Sequence, residues 1–255
     1  RIRNYQPGDK PAMYYICMKT GDRGGDGEPF YEQDPDALGR IYVGPYAAFE
    51  PDSAFILEDE EGVSGYIVGA LVSRKFYDRY EREWRPGLCE EFASPSGDPK
   101  SWSSVERIYH LYHHPGCTSP ENFDDYPSHL HINLLARAQG QGHGWRLTQQ
   151  LLQQLRSQGS TGIHLNLSVL NKRAYGFYKA AGFQELSRQA NGEGGSICMG
   201  LRLAEVIKGT HIKIDAPGLH KPPKPKTASG LIGSKNLKII DNLVDKAPDV
   251  VDNNY

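Results

Sequence analysis

The 255-residue sequence lacks the features that mark secreted, membrane-spanning and nucleic-acid-binding proteins. No apolar run approaches the ~18 residues of a membrane span, and a formal net charge of −2 gives no reason to expect a membrane or nucleic-acid partner. The first residues, RIRNYQPGDK, predict no signal peptide. Cys17, Cys89, Cys117 and Cys198 are scattered without a CxxC pair, which favours free thiols in a reducing compartment. We therefore expect a cytoplasmic protein, or one shared between cytoplasm and nucleus.

What the sequence does contain is enough apolar material, 38%, to bury one large core. Strand and helix patterns alternate until about residue 204, after which the composition changes to the Pro/Lys-rich stretch HKPPKPKTASG. We predict one domain over residues 1–204 and a mostly irregular tail over 205–255. Within that tail, NLKIIDNLV is a short apolar candidate for docking.

Local patterns predict the order of the elements. A short strand, a turn at Pro7-Gly8-Asp9 and a helix capped by Asp9 open the chain, and a hairpin turn at Glu61-Gly62 joins two strands. Residues 74–128 predict only mixed helix and loop. The next predicted elements are the strand HLHINLLA, with Leu130, Ile132 and Leu134 on one face, and the helix WRLTQQLLQQLRSQG. This helix has Leu147, Leu151, Leu152 and Leu155 on one stripe and Gly159 as its stop. The last predicted elements are the strand TGIHLNLSVL, the helix NKRAYGFYKAAGF and the strand SICMGLRL. Because strands and helices alternate around an antiparallel hairpin, we predict an α/β fold with a mixed sheet.

The stretch RAQGQGHGWRL places Gly140, Gly142 and Gly144 between a strand and a helix. A strand, a glycine turn and a helix N-terminus together present free backbone N–H groups to an anion. Two familiar phosphate signatures are absent. There is no GK[ST], and a GxGxxG motif would need glycine where Trp145 stands and an acidic residue where Asn171 stands.

Instead, QGQGHG resembles the Q/R-x-x-G-x-G/A pyrophosphate loop of the GNAT N-acetyltransferases, with Gln139, Gly142 and Gly144 at the signature positions. Downstream, VLNKRAYGFYKAAGF resembles the second motif of that superfamily. The matching residues are Asn171, Ala174, Phe177, Tyr178, Gly182 and Phe183. Over residues 1–204 the sequence is also similar to the acetyltransferase-like domain at the C-terminus of the O-GlcNAcase proteins.

The resemblance implies a GNAT fold, with a mostly antiparallel sheet splayed at an acetyl-CoA site and flanked by helices. Acetyl-CoA would be the cosubstrate, and no metal is implied. The backbone N–H groups of Gln141, Gly142, His143 and Gly144 would hold its pyrophosphate, with Gln139 at the start of the loop. The strand ending at Leu134 and Leu135 would offer backbone groups to the pantetheine and acetyl carbonyl. Asn171 would either bond the coenzyme arm or cap the following helix.

The implied reaction is direct transfer of an acetyl group to a primary amine of a small molecule or peptide. Tyr178 would protonate the departing thiolate. His131, placed on the non-core face of its strand, is the first candidate for the general base. Glu58 and Asp59 follow, although a solvated hairpin turn is the preferred interpretation of EDEEG.

Two further alternatives remain. In animal O-GlcNAcases the glycine signature is degraded, so the rival function is a catalytically inactive acetyl-CoA-binding or protein-interaction module, although the signature is intact here. The stretch YHLYHHP suggests a metal site, but His113 and His114 are adjacent, which favours a surface or pocket cluster. The loops at 20–36 and 74–128 would shape the acceptor pocket, and their Tyr, His and Asp content indicates a polar substrate, with a cationic one as an option.

Overall fold

The sheet of the protein is mixed and open. In the computed structural model the described residues are 1–115, 124–191 and 194–203. Seven strands lie in the order β1-β2-β3-β4-β5-β7-β6. They span Ile2–Asn4 (β1), Ala54–Asp59 (β2), Gly62–Ala70 (β3), Ser128–Leu134 (β4), Gly162–Ser168 (β5), Gln184–Asn191 (β6) and Gly194–Arg202 (β7). Neighbouring strands are antiparallel except β4 and β5, which confirms the predicted α/β fold with a mostly antiparallel sheet.

Helices cover both faces of this sheet. They span Lys10–Lys19 (α1), Glu28–Tyr31 (α2), Ala37–Tyr42 (α3), Gly44–Phe49 (α4), Ser73–Arg79 (α5), Arg85–Glu91 (α6), Ser104–His113 (α7), His143–Ser157 (α8) and Lys172–Ala180 (α9). Helices α1, α3, α4 and α7 contribute to the core on one face, and α8 and α9 to the core on the other. Within the described ranges, no helix is both long and apolar enough to cross a membrane.

The apolar stripe of α8 explains why this segment is a helix packed on the sheet. Its four leucines are at most 4% exposed, and their spacing of three and four residues places them on one side of the helix. The helix ends at Ser157, and the predicted stop residue Gly159 follows it with a φ of +93°, which suits glycine. The N–H groups of Gly159 and Ser160 bond back to the carbonyls of Arg156 and Leu155, the Schellman pattern of a helix end.

Two local predictions near the N-terminus have different outcomes. The hairpin between β2 and β3 is confirmed, and Gly62 in its turn has a φ of +107°. Asp9 precedes α1, but the prediction that its side chain caps this helix is wrong. Its carboxylate accepts instead from the backbone N–H of Gln6 and from two guanidinium nitrogens of Arg3, each at 2.7 Å. An ion pair between β1 and the start of α1 therefore takes the place of a cap.

The C-terminal part of the prediction was incomplete. The strand SICMGLRL is confirmed within β7, but β6 was not predicted. This strand is a polar, mostly exposed edge strand, so it has no alternation of apolar and polar residues to reveal it. Cys17, Cys89 and Cys198 are free thiols as expected, while Cys117 and the predicted tail at 205–255 lie outside the described residues.

Candidate active site

Strands β4 and β5 are paired only at their first residues. Ser128 lies beside Ile163 and His129 beside His164, and the pairing stops there although both strands continue. The strands part and open a cleft of about 450 Å³. Residues of the α1–α2 loop, β4, the glycine stretch, β5 and α9 line this cleft.

The glycine stretch lies at the cleft where β4 leads into α8. Gly140 and Gly142 have φ angles of +76° and +77°, which glycine adopts without a steric penalty. Gly142 is the N-cap residue of α8, so the first N–H groups of this helix have no intrahelical acceptor. A Cβ added at Gly142 would meet nothing within 4 Å, whereas one at Gly144 would touch the Phe177 ring at 3.5 Å. The cleft therefore contains an open helix N-terminus, the positive end of the helix dipole.

Gln139 ties the glycine stretch to the elements on either side of it. Its Nε2 donates to the carbonyl oxygen of Leu134 at 2.6 Å, and its Oε1 accepts from Arg173 in the first turn of α9. Both Gln139 and Arg173 line the cleft. Arg173 was missed by sequence reasoning, although a cation in the first turn of a helix is a signal in itself, because the helix dipole disfavours it there.

Two residues predicted to bind the cosubstrate, Leu135 and Gln141, turn their side chains to other partners. Leu135 is 9% exposed in the α1-side core, and its N–H donates to the Ser64 carbonyl at 2.9 Å. The Gln141 amide donates to the Arg137 carbonyl at 2.6 Å. Partial burial lowers the pKa of His143. For Gln141 only the backbone N–H group, beside the start of α8, remains as a candidate contact.

Asn171 is the N-cap of α9, as one of its two predicted roles requires. Its Oδ1 accepts from the backbone N–H of Ala174 at 3.0 Å. The residue also lines the cleft. Its Nδ2 lies 3.7 Å from the position that a Cβ at Gly24 would take, so the α1–α2 loop reaches α9 across the cleft.

Tyr178 lines the cleft and is 7% exposed. Its ring packs edge-to-face against Phe177 and Phe183, with centroids 5.1 and 5.3 Å away. Burial raises the pKa of the phenol above its ordinary value, so the hydroxyl stays protonated at physiological pH. Within the described part of the chain the hydroxyl has no hydrogen-bond partner, which leaves it available to a ligand.

His131 lies in the middle of β4, and the prediction that it faces away from the core is wrong. The residue is 5% exposed, its ring stacks on Tyr42 at 5.9 Å, and the Tyr66 ring is 6.0 Å away. Helices α1, α3 and α4 cover this face of the sheet, which strand alternation alone does not reveal. The imidazole nevertheless lines the cleft.

Glu58 and Asp59, the other candidate bases, do not line the cleft. Glu58 pairs with Arg3 at 3.1 Å and Asp59 with Arg137 at 2.9 Å. The hydrogen bonds from these arginines lower the pKa of both carboxyls, which makes them weak proton acceptors. The solvated-hairpin interpretation of this stretch fits the structure.

The histidines of α7 pack among aromatic rings and each other. The His110 ring lies 4.9 Å from Trp102 and 4.4 Å from His114, and His113 Nε2 is 2.7 Å from the Phe92 carbonyl oxygen. In the part of the chain that the structure describes, no group of three or more His, Cys, Asp or Glu is placed to hold a metal ion.

Polar residues on the α1 side of the cleft were also missed. Thr20, Arg23 and Asn133 line it. The Asn133 amide donates to the Thr20 hydroxyl, which in turn donates to the Ile16 carbonyl at 2.8 Å. A signal existed for Asn133, since it lies in the same period-two register as His129 and His131, on the polar face of β4.

Comparison with known proteins agrees with this geometry. The model of the acetyltransferase (GNAT) family matches residues 25–183. Protein O-GlcNAcase from Rattus norvegicus and from Mus musculus are each 31% identical over 188 residues, which is 73% of this chain and 20% of theirs, so the chain spans about a fifth of these curated relatives. The crystal structure of SsHAT is 33% identical with a TM-score of 0.71, and the match covers 80% of this chain and 98% of that one. The chain therefore belongs to the GNAT acetyltransferase family.

Proposed function

We propose that the protein is an acetyl-CoA-dependent N-acetyltransferase that transfers an acetyl group directly to a primary amine. The observation that carries this proposal is the parting of β4 and β5 beside the open N-terminus of α8 at Gly142. One cleft thereby offers strand edges to an extended, amide-containing arm and helix N–H groups to phosphates. These are the two parts of coenzyme A that a protein must hold.

The pyrophosphate binds to the backbone N–H groups of residues 141–144. Each phosphate charge near the start of α8 gains roughly 0.3–1 kcal/mol from the helix dipole. Arg173, which donates to Gln139, adds a positive charge on the α9 side of the cleft. The pantetheine arm follows the backbone of β4 towards Leu134 and Leu135, in the manner of an added strand.

The reaction passes through no covalent enzyme intermediate. The nitrogen of a neutral primary amine attacks the thioester carbonyl carbon, and a backbone N–H group of β4 stabilises the resulting oxyanion. The carbon–sulfur bond then breaks. The nitrogen loses one proton and the sulfur gains one, which leaves an amide and the thiol of coenzyme A.

Tyr178 donates a hydrogen bond to the sulfur as its negative charge develops. Thiols have pKa values near 8.5 and phenols near 10, and burial raises the pKa of this phenol further. Complete proton transfer from Tyr178 to the thiolate is therefore uphill. We assign Tyr178 the stabilisation of the departing thiolate and leave the final protonation of sulfur to the proton released by the amine.

His131 accepts the proton of the amine, directly or through water. It lines the cleft on the side of β4 opposite to Leu130. Among the described lining residues there is no carboxylate that could take this role. The acceptor is an amine of a small molecule or peptide.

The test is calorimetry with acetyl-CoA on the parent protein and two glycine variants. Gly142 and Gly159 both have a positive φ, and an added Cβ would meet nothing within 4 Å at either position. Gly142→Glu and Gly159→Glu therefore both place a side chain at a positive φ, but only the first places a carboxylate at the proposed phosphate site. We expect Gly142→Glu to abolish acetyl-CoA affinity while far-UV circular dichroism stays native, and Gly159→Glu to retain it.

Equal affinities in the two variants would contradict the pyrophosphate assignment. Failure of the parent to bind acetyl-CoA would refute the function as a whole. Tight binding with no acetylation across a broad acceptor screen would instead support the rival function, a non-catalytic acetyl-CoA-binding module.

A further inference from the structure

The two sides of the cleft differ in chemical character. Side chains alternate along β4 and β5, so one face carries leucine and isoleucine while the opposite face carries polar groups. The polar lining residues on the α1 side are Thr20, Arg23, His131, Asn133 and Asn166. The proposed cosubstrate site at α8 and α9 belongs to the apolar side. The polar side is left for the second substrate.

Arg23 sits in a turn that arginine rarely occupies. The backbone of Asp22 and Gly25 is bonded in both directions, with the Gly25 N–H donating at 2.6 Å and the Asp22 N–H at 3.3 Å. The two central residues, Arg23 and Gly24, have φ angles of +51° and +88°. Positive φ at both central positions is the pattern of a type I′ turn, which favours Gly, Asn and Asp. Arg23 is the one residue other than glycine with positive φ in the described ranges, and such strained residues concentrate at functional sites.

Among the described residues, no hydrogen bond or ion pair is made by the guanidinium of Arg23. Its Nε is buried without a hydrogen bond, and among the described residues no ion pair joins it to a carboxylate. Of the carboxylates in the same loop, Asp26 and Glu28 are paired with Lys19 at 2.6 and 2.7 Å, and Asp22 makes no ion pair with Arg23. A buried donor without an acceptor is unfavourable, so a ligand that supplies an acceptor at this place would gain binding free energy.

We propose that Arg23 binds an anionic group, a carboxylate, on the acceptor amine, so that the acceptor is an amine that carries a negative charge. This inference rests on the proposed function. Guanidinium and carboxylate match in a bidentate, charge-assisted hydrogen bond. Arg23 would repel a lysine-rich peptide, since no carboxylate lines the described part of the cleft to offset its charge. A cationic acceptor, which the sequence left as an option, is the less favoured class.

The experiment measures thiol release from acetyl-CoA with primary amines in matched pairs, one member with a carboxylate and the other with the neutral amide. The small-molecule arm uses β-alanine with β-alaninamide and γ-aminobutyrate with γ-aminobutyramide. The peptide arm uses peptides that differ only by Glu or Gln beside the reactive amine. Each pair is run with the parent, with Arg23→Asn and with Arg74→Asn. Asparagine tolerates positive φ, and Arg74 is an exposed residue of α5 that does not line the cleft.

We expect the parent to favour the carboxylate member in kcat/KM, on the order of 10- to 100-fold, as for a hydrogen bond between charged groups. Arg23→Asn should lose this preference through KM without a change in acetyl-CoA affinity, while Arg74→Asn keeps it. The arm with the larger preference identifies a small acid or an acidic peptide as the source of the carboxylate.

Three results would overturn the inference. One is a preference that survives in Arg23→Asn, and another is a loss of acetyl-CoA affinity in that variant, which would assign Arg23 to the phosphates of the cosubstrate. The third is a parent that binds acetyl-CoA but neither acetylates nor binds any carboxylate-bearing amine of the panel by calorimetry. Failure of the parent to bind acetyl-CoA, in contrast, refutes the proposed function itself.

Discussion

Replacing Tyr178 with Phe removes one hydroxyl and keeps the ring between Phe177 and Phe183. The hydroxyl has no partner among the described residues, so we expect the free energy of unfolding to change by less than about 0.5 kcal/mol. A hydrogen bond to a charged group is worth roughly 1.5–3 kcal/mol. Since about 1.4 kcal/mol is tenfold in rate, kcat should fall by roughly 10- to 150-fold. Complete proton donation would instead cost about 10²–10⁴.

The assay follows release of the thiol of coenzyme A at saturating acceptor, with acetyl-CoA affinity measured separately by calorimetry. Tyr175→Phe is the matched control because it lies on the same helix and its hydroxyl contacts Glu185 at 3.2 Å, outside the cleft. We expect this control to retain the parental rate. Acetyl-CoA affinity should be nearly unchanged in both variants, since the hydrogen bond forms only as the thiolate develops.

Two outcomes would refute this reasoning. A parental rate in Tyr178→Phe would remove the phenol from the mechanism. A fall of roughly 10³ or more, beyond what one hydrogen bond explains, would show that the phenol transfers its proton completely, which its raised pKa argues against.

Three further predictions concern stability. Asn171→Ala should cost about 1 kcal/mol in urea unfolding through loss of the α9 cap, and Asn171→Asp, which keeps a cap, should not; equal losses would contradict the cap. Hydrogen bonds from Arg3 lower the pKa of Asp9, so this ion pair stabilises the fold above about pH 4 and the contribution is lost as pH falls below it. Asp9→Asn should reduce the dependence of the unfolding free energy on pH in this range. An unchanged pH profile of the unfolding free energy would contradict this role of the ion pair. A chain that ends after residue 204 should keep acetyl-CoA affinity with a melting temperature within a few degrees of the parent; collapse of the fold would show that NLKIIDNLV is required.

The parts of the site that sequence could predict are those whose chemistry is local. A left-handed N-cap needs glycine next to the helix that it starts, so the stretch around Gly142 predicts the open N-terminus of α8 at which we propose the anion site. The α9 cap at Asn171 is local in the same way, since its acceptor and donor are three residues apart. The leucine stripe of α8 follows from helical spacing.

The missed features depend on residues distant in sequence. His131 is buried because α1, α3 and α4 cover its face of β4. The alternation of apolar and polar residues along β4 predicts that this face is exposed to solvent. Asp9 fails as a cap because Arg3 competes for its carboxylate from a neighbouring strand. Arg23 belongs to a glycine-rich loop whose composition predicts only a polar connection. Its place at the cleft follows from the tertiary fold.

The short parallel junction also has a mechanical consequence. The ladders β1–β4 and β5–β7 are each continuous and antiparallel, yet only two residue pairs, at 128–129 and 163–164, connect them. The sheet therefore consists of two antiparallel ladders joined by one short parallel pairing. A molecule that hydrogen-bonds to both facing strand edges would connect the two ladders across the cleft. Such a bound molecule slows hydrogen exchange of amides in both ladders, because local opening of the strands becomes linked to release of the bound molecule. We therefore expect a ligand in the cleft to slow amide exchange across the whole sheet, on both sides of the junction.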